Sequence, residues 1–256
     1  MALMLALSLF VPSAPARTVP VDDLRERTSQ QVAAFLDEFS DVKCTEVVTQ
    51  EKLRKDGKTE LHQQSTYDYL VIMSNAGGEL NLNESRLALK VGSGASRKNV
   101  SLLVSNGFAT MFLIFHPYYA DGFRFTETGA EVVEGRSLSK IHFEHIRGRK
   151  SPVALALRGR EFALEISGDA WIDSATGNIV RMTAGVNQGL EDIGMKSMLS
   201  DVRFAAVPFR GQKEVYWFPA EASVEVETPR QHWRNHHQFT DYKKFSVSTE
   251  EHVSTQ

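Results

Sequence analysis

From Val42 to Val247 the chain is a succession of short segments in which apolar and polar residues alternate, separated by turns that often contain glycine. A period of two puts alternate side chains on opposite faces of a strand, and strands at such short spacing pair with their sequence neighbours. Val42 to Leu53 is the first segment, and Lys55-Asp56-Gly57-Lys58 reads as a hairpin turn because Asp-Gly accepts positive φ. Glu60 to Ser74 returns with Tyr67, Tyr69, Val71 and Met73 on one side, and Ala76-Gly77-Gly78 turns the chain again. Leu80 and Leu82 share a face, while Leu87 and Leu89 fall out of phase with them, which predicts a bulge near Glu84-Ser85. Later sets are Ile141 with Phe143, Val153 with Leu155 and Leu157, and Phe162 with Leu164 and Ile166. Trp171-Ile172-Asp173 and Ile179-Val180-Arg181 flank Ser174 to Asn178, a hairpin loop. Met198 to Val207, Glu214 to Phe218, Ala222 to Thr228 and Phe239 to Val247 complete an antiparallel meander of about ten strands.

Two stretches break this rhythm. Leu24, Thr28, Val32, Phe35, Leu36 and Phe39 recur at helical spacing behind Asp22 and Asp23, which suit a helix N-terminus. Val104, Phe108, Met111, Phe112 and Phe115 form a second helical stripe, which His116-Pro117 is expected to end. The fold class is therefore α+β and mostly β. With 42% hydrophobic and 24% charged residues over 256 positions the chain is globular, and no linker or repeat divides it.

Leu3 to Val11 is apolar and is followed by Pro12-Ser13-Ala14-Pro15-Ala16, the pattern of a secretory signal peptide with an A-x-A end. The expected organisation is a signal peptide over 1–16 and a single domain over 17–256, in the periplasm or secreted. Cys44 is the only cysteine, so no intramolecular disulfide forms. A net charge of −3 supplies no field for tracking a phosphate backbone, which argues against nucleic acid.

A helix, a long meander, a second apolar helix and further hairpins, in an exported chain, resemble the lipoprotein-carrier (LolA/LolB-like) superfamily. Trp171-Ile172-Asp173 with Thr176 to Arg181, and Tyr216 to Glu221 with Pro229 to Asn235, look like segments of uncharacterised exported bacterial proteins of this kind. The resemblance implies one open, strongly curved antiparallel sheet, a half-barrel wrapped around two or more helices. A wide concave face is either packed with helices or left as an apolar cavity. The expected function is then noncatalytic binding of a lipid, or of the acyl chains of a lipoprotein, with no cofactor. Val104, Phe108, Met111, Phe112, Phe115, Tyr118, Tyr119, Trp171 and Trp217 are the candidate cavity residues. An interaction or stress-sensor module with an envelope protein partner is the alternative on the same scaffold, and a hydrolase using histidine and carboxylates or a metal is the third.

The polar clusters support chemistry less well. His232 and His236 on a strand would lie about 13 Å apart, too far for one metal ion. Gly92 to Lys98 lacks the Gly-Lys-Ser/Thr ending of a phosphate loop, and no G-x-S-x-G occurs. Cys44 reads as a small buried side chain, and Glu127, Glu131 and Glu134 as solvated acids. No catalytic or metal-binding set is expected.

Overall fold

The computed structural model describes residues 21–39, 42–76, 79–91, 110–157, 160–186, 194–209 and 215–244. The expected signal peptide and the first part of the second stripe, with Val104 and Phe108, lie outside the described residues. The elements in order are α1 (Val21–Phe39), β1 (Val42–Leu53), β2 (Thr59–Ala76), β3 (Glu79–Val91), a 3₁₀ segment (Thr110–Phe115), α2 (Pro117–Ala120), β4 (Phe123–Val133), β5 (Arg136–His145), β6 (Ala154–Leu157), β7 (Arg160–Ala163), β8 (Ile166–Asp173), β9 (Ile179–Val186), β10 (Ser197–Pro208), β11 (Val215–Glu227) and β12 (His232–Lys244). Ten strands form one antiparallel sheet in the order β3-β2-β1-β12-β11-β10-β9-β8-β5-β4, and β6 and β7 form a separate ribbon. Pairing of β1 with β12 joins the first and last described strands in mid-sheet. The sheet is open, with β3 and β4 at its edges.

Strand order also explains the helical segments. The chain leaves one edge at β3 and must reach the opposite edge at β4, and on the way Met111 to Phe115 enter the core. Five consecutive apolar residues suit a segment surrounded on all sides, and each of the five is buried. The 3₁₀ segment ends at Phe115, as His116-Pro117 predicts, and the same pair starts α2. His116 caps α2 by accepting the N–H of Tyr118 at Nδ1 (3.1 Å), and Pro117 occupies the first turn, where its missing N–H costs nothing. A Tyr119 hydroxyl bond to the Leu80 carbonyl of β3 (2.7 Å) shows how strongly the sheet curves. Laid flat, ten strands would hold the edges about 43 Å apart. Yet Tyr119 stands four residues before Phe123 in β4, a reach of at most about 14 Å.

On α1, Leu24, Thr28, Val32, Phe35 and Leu36 of the expected stripe are buried, together with Ser29, and the Phe39 side chain lies outside the described residues. Asp22 and Asp23 lie within its first turn, where they complement the helix dipole. Leu87 and Leu89 are out of phase with Leu80 and Leu82 for a reason other than the expected bulge at Glu84-Ser85. Leu87 pairs with Asp68 on the outer face, and the register breaks at Leu89, between the pairs Thr66–Lys90 and Tyr67–Ala88. Both leucines are exposed, at 68% and 56%. The two segments expected over Glu214–Phe218 and Ala222–Thr228 are one strand, β11, interrupted where its pairing with β10 skips Ala220 beside Pro219.

Replacing Tyr119 by Phe removes the clasp between α2 and β3. We expect a loss of about 0.5–1.5 kcal/mol, read as a lower urea midpoint with unchanged slope; an unchanged midpoint would show that the bond holds nothing.

Candidate functional site

The β8–β9 turn is built around Asp173. Its Oδ1 accepts the N–H groups of Ala175 (2.9 Å) and Thr176 (3.1 Å), and its carbonyl accepts the N–H of Gly177 (2.8 Å). Gly177 has φ +81°, and a Cβ there would come within 3.1–3.2 Å of Arg27 and Thr28, so α1 lies directly against the turn. Arg27 fixes that contact by donating from Nη1 to the carbonyls of Ser174 and Ala175, each at 3.1 Å. Further along α1, the Phe35 ring meets Phe112 (4.5 Å) and Phe218 (5.4 Å), and Phe112 meets Phe204 (4.2 Å).

Between α1, this turn and the start of β11 a cleft of about 450 Å³ remains. Val32, Ala34, Phe35, Phe112, Ile179 and Trp217 give it apolar walls, and Gln31, Thr176 and Asn178 add polar groups. The volume falls within the range of about 300–1,000 Å³ usual for small-ligand sites. The Arg136 guanidinium covers the Trp217 ring at 4.7 Å.

The expected cavity residues divide by position. Phe112 and Trp217 line the cleft. Met111 and Phe115 are core, with Phe115 against Phe125 (5.0 Å) and Phe143 (6.3 Å). Tyr119 is buried and engaged with Leu80, and Tyr118 is half-buried under the Lys150 ammonium, 4.2 Å from its ring centre. Trp171 lies on the outer face, its ring flanked by Lys140 (5.1 Å) and Arg181 (4.6 Å). The expectation that it faces the cavity is corrected by its neighbours. Ala170 and Ile172 are wholly buried, and a period-two strand turns the residue between them outward.

The other half of the concave face holds a feature the sequence reading missed. Glu46 of β1 is 0% exposed and His237 of β12 is 2% exposed. Arg86 of β3 grips Glu46 through Nε–Oε2 (2.5 Å) and Nη2–Oε1 (3.0 Å), and His237 Nδ1 lies 2.8 Å from Oε1. Glu84 meets Arg86 at 3.2 Å, and the guanidinium lies over Tyr69 at 4.9 Å. The signal was parity: Glu46 shares the phase of Val42 and Cys44, and His237 that of Trp233 and Phe239, all buried. By contrast, His232 bonds Glu225 (2.5 Å), which also takes Arg234 (3.3 Å), so the histidines form no common patch. Cys44 is buried, and desolvation pushes its thiol pKa up to about 12, so no thiolate nucleophile exists at neutral pH. Among the described residues no three His, Cys, Asp or Glu side chains are placed to hold a metal ion.

Burial disfavours ionisation of both members of the buried pair. For Glu46 the hydrogen bonds from His237 and Arg86, with the guanidinium charge, outweigh burial and hold its pKa below the ordinary 4.5. For His237 burial outweighs the pull of Glu46, and its pKa falls below 6.5. The imidazole is therefore neutral at pH 7, with Nδ1–H donating to the carboxylate. Each folded pKa lies below its unfolded value, so both contributions are complete above about pH 6.5. They are lost on acidification, that of His237 first. We expect the urea midpoint to fall between pH 7.5 and 5.5, and His237→Gln to flatten that fall; equal slopes would contradict the assignment. Arg86→Met strands the carboxylate and is expected to cost about 3–5 kcal/mol in the same assay.

No family model and no curated protein matches the sequence. Among solved structures the chain is similar to a DUF1329 family protein from Desulfovibrio piger, at 14% identity and a TM-score of 0.45, over 93% of this chain and 100% of that one. It is similar to a LolA superfamily protein from Nitrosomonas europaea, at 9% identity and a TM-score of 0.39, over 90% of this chain and 96% of that one. A third is the Mycobacterium tuberculosis lipoprotein LppX, at 10% identity and a TM-score of 0.25, over 90% and 100%. The open ten-stranded antiparallel sheet itself agrees with the curved sheet that the order of elements suggested.

Proposed function

We propose that this chain is a noncatalytic binding protein of the cell envelope that holds an apolar ligand, a lipid or the acyl chain of a lipoprotein, in the cleft between α1 and the β8–β9 turn. The carrying observation is the cleft itself, about 450 Å³ walled by Val32, Phe35, Phe112 and Trp217. Each methylene transferred into such a site contributes about 0.8 kcal/mol, so a chain of modest length offsets the cost of association without a charged anchor. Arg136, stacked on Trp217, offers a cation beside the cleft for an anionic end of the ligand. The export pattern over 1–16 supports an envelope location, where such ligands occur.

An interaction module is the second reading. Ile72, Leu87 and Leu89 are large, exposed and gathered on β2 and the edge strand β3, where a partner protein would find apolar contact and a sheet edge.

Ala34 is exposed on α1 and lines the cleft, so Ala34→Trp fills it without disturbing the core. Binding of a fluorescent fatty acid is expected to weaken at least tenfold in this variant, with its thermal midpoint retained. Equal binding would remove the cleft as the site. Leu87→Lys with Leu89→Lys should leave fatty-acid binding unchanged and would abolish partner capture if the second reading holds.

A further inference from the structure

The opposite rim of the sheet carries a second, chemically different cleft. The β1–β2 turn and the β11–β12 turn lie side by side because Leu53 pairs with His232, and Lys196 enters beside them through its N–H bond to the Glu227 carbonyl (2.8 Å). These connections border an open cleft of about 740 Å³.

Lys52, Arg54, Lys55, Lys196 and Arg230 line this space, against the carboxylates of Glu60 and Glu227. Both carboxylates are already engaged, Glu60 by Lys52 (3.1 Å) and Glu227 by Lys196 (3.3 Å). Arg54 has one loose contact with Asp56 (3.7 Å), which also meets Lys58 at 4.0 Å. Lys55 and Arg230 have no carboxylate within ion-pair distance among the described residues. This local positive excess stands in a chain whose net charge is −3, so general basicity does not account for it.

Both turns are held by their own hydrogen bonds. Arg54 N–H donates to the Lys58 carbonyl (2.8 Å), and Gly57 N–H to that of Arg54 (2.9 Å). Thr228 Oγ1 accepts the N–H groups of Arg230 (3.3 Å) and Gln231 (2.9 Å). A ligand therefore meets a framework that is already ordered, which lowers the cost of binding. Guanidinium forks beside ammonium groups match an oxyanion with several oxygens. A cleft of this size, with its cations carried on two adjacent turns, accommodates a compact oxyanion head.

We propose that this rim is a binding site for a phosphate-bearing ligand, a chemistry shared by soluble phosphate esters and phospholipid headgroups. The site is independent of the apolar cleft, since β11 runs thirteen residues from one to the other, about 40 Å at the usual rise.

The test follows backbone amides by NMR during titration with inorganic pyrophosphate, together with flotation on phosphatidylcholine vesicles with and without phosphatidylglycerol. The expected result is saturable shifts confined to residues 54–58 and 228–232. They should weaken at least tenfold in Lys55→Glu with Arg230→Glu and persist in the control Arg124→Glu on β4. Flotation that requires phosphatidylglycerol and is lost in the double variant assigns a headgroup as the source. Pyrophosphate binding without flotation assigns a soluble ester. The proposal is overturned if no shifts localise to the cleft, if Arg124→Glu weakens them equally, or if a polyglutamate peptide occupies the cleft and pyrophosphate cannot displace it. Thermal unfolding of both variants confirms that they are folded.

Discussion

A chain that ends one half of its sheet at β3 and begins the other at β4 has to cross from edge to edge, and everything inside this fold follows from that crossing. The strand order leaves β3 and β4 at opposite edges of the sheet, nine strand spacings apart. Curvature shortens the journey, and the 3₁₀ segment makes part of it inside the core. Its five apolar residues bury themselves against α1 and the strands, so much of the concave face is filled by the chain itself. The apolar cleft is what remains where that filling stops, between the far part of α1, the β8–β9 turn and the start of β11.

The two halves of the concave face differ in polarity, and the difference directs where an apolar ligand can go. Under β12, β1, β2 and β3 the interior contains Glu46, Arg86 and His237 in one hydrogen-bonded set. Desolvating a carboxylate and a guanidinium costs several kcal/mol each, and the bidentate contact with a further imidazole bond is what offsets it. A greasy ligand entering there would have to separate those charges. The cleft under β8 to β11 is lined by aromatic and aliphatic side chains with Gln31, Thr176 and Asn178, none of them charged, so no ion pair has to be separated there.

Much of the fold was legible from local pattern because local pattern caused it. Period-two segments became strands, Asp56-Gly57 became the first hairpin turn with Gly57 at φ +79°, and the α1 stripe was buried as spaced. Features set by distant pairing were not legible. The Glu46–His237 contact joins residues 191 positions apart, and only the inward phase of each hinted at it. Trp171 faces outward because its own strand alternates, with the buried Ala170 and Ile172 on either side of it. The β11 irregularity at Ala220 was taken for a gap between two strands, since a bulge and a turn look alike beside Pro219. In the cleft, Phe112 and Trp217 are among the residues the sequence proposes, and the part taken by α1 and the Asp173-centred turn is not legible there, because it depends on how the helix sits against the hairpin.

The central claim is that the unfilled part of the concave face is kept for an apolar guest. Native mass spectrometry of the chain, released from its producing cells without detergent, measures this directly. The account predicts a one-to-one noncovalent adduct whose mass matches a lipid recovered by organic extraction. A chain that flies at its bare mass, and yields no lipid on extraction, would contradict it.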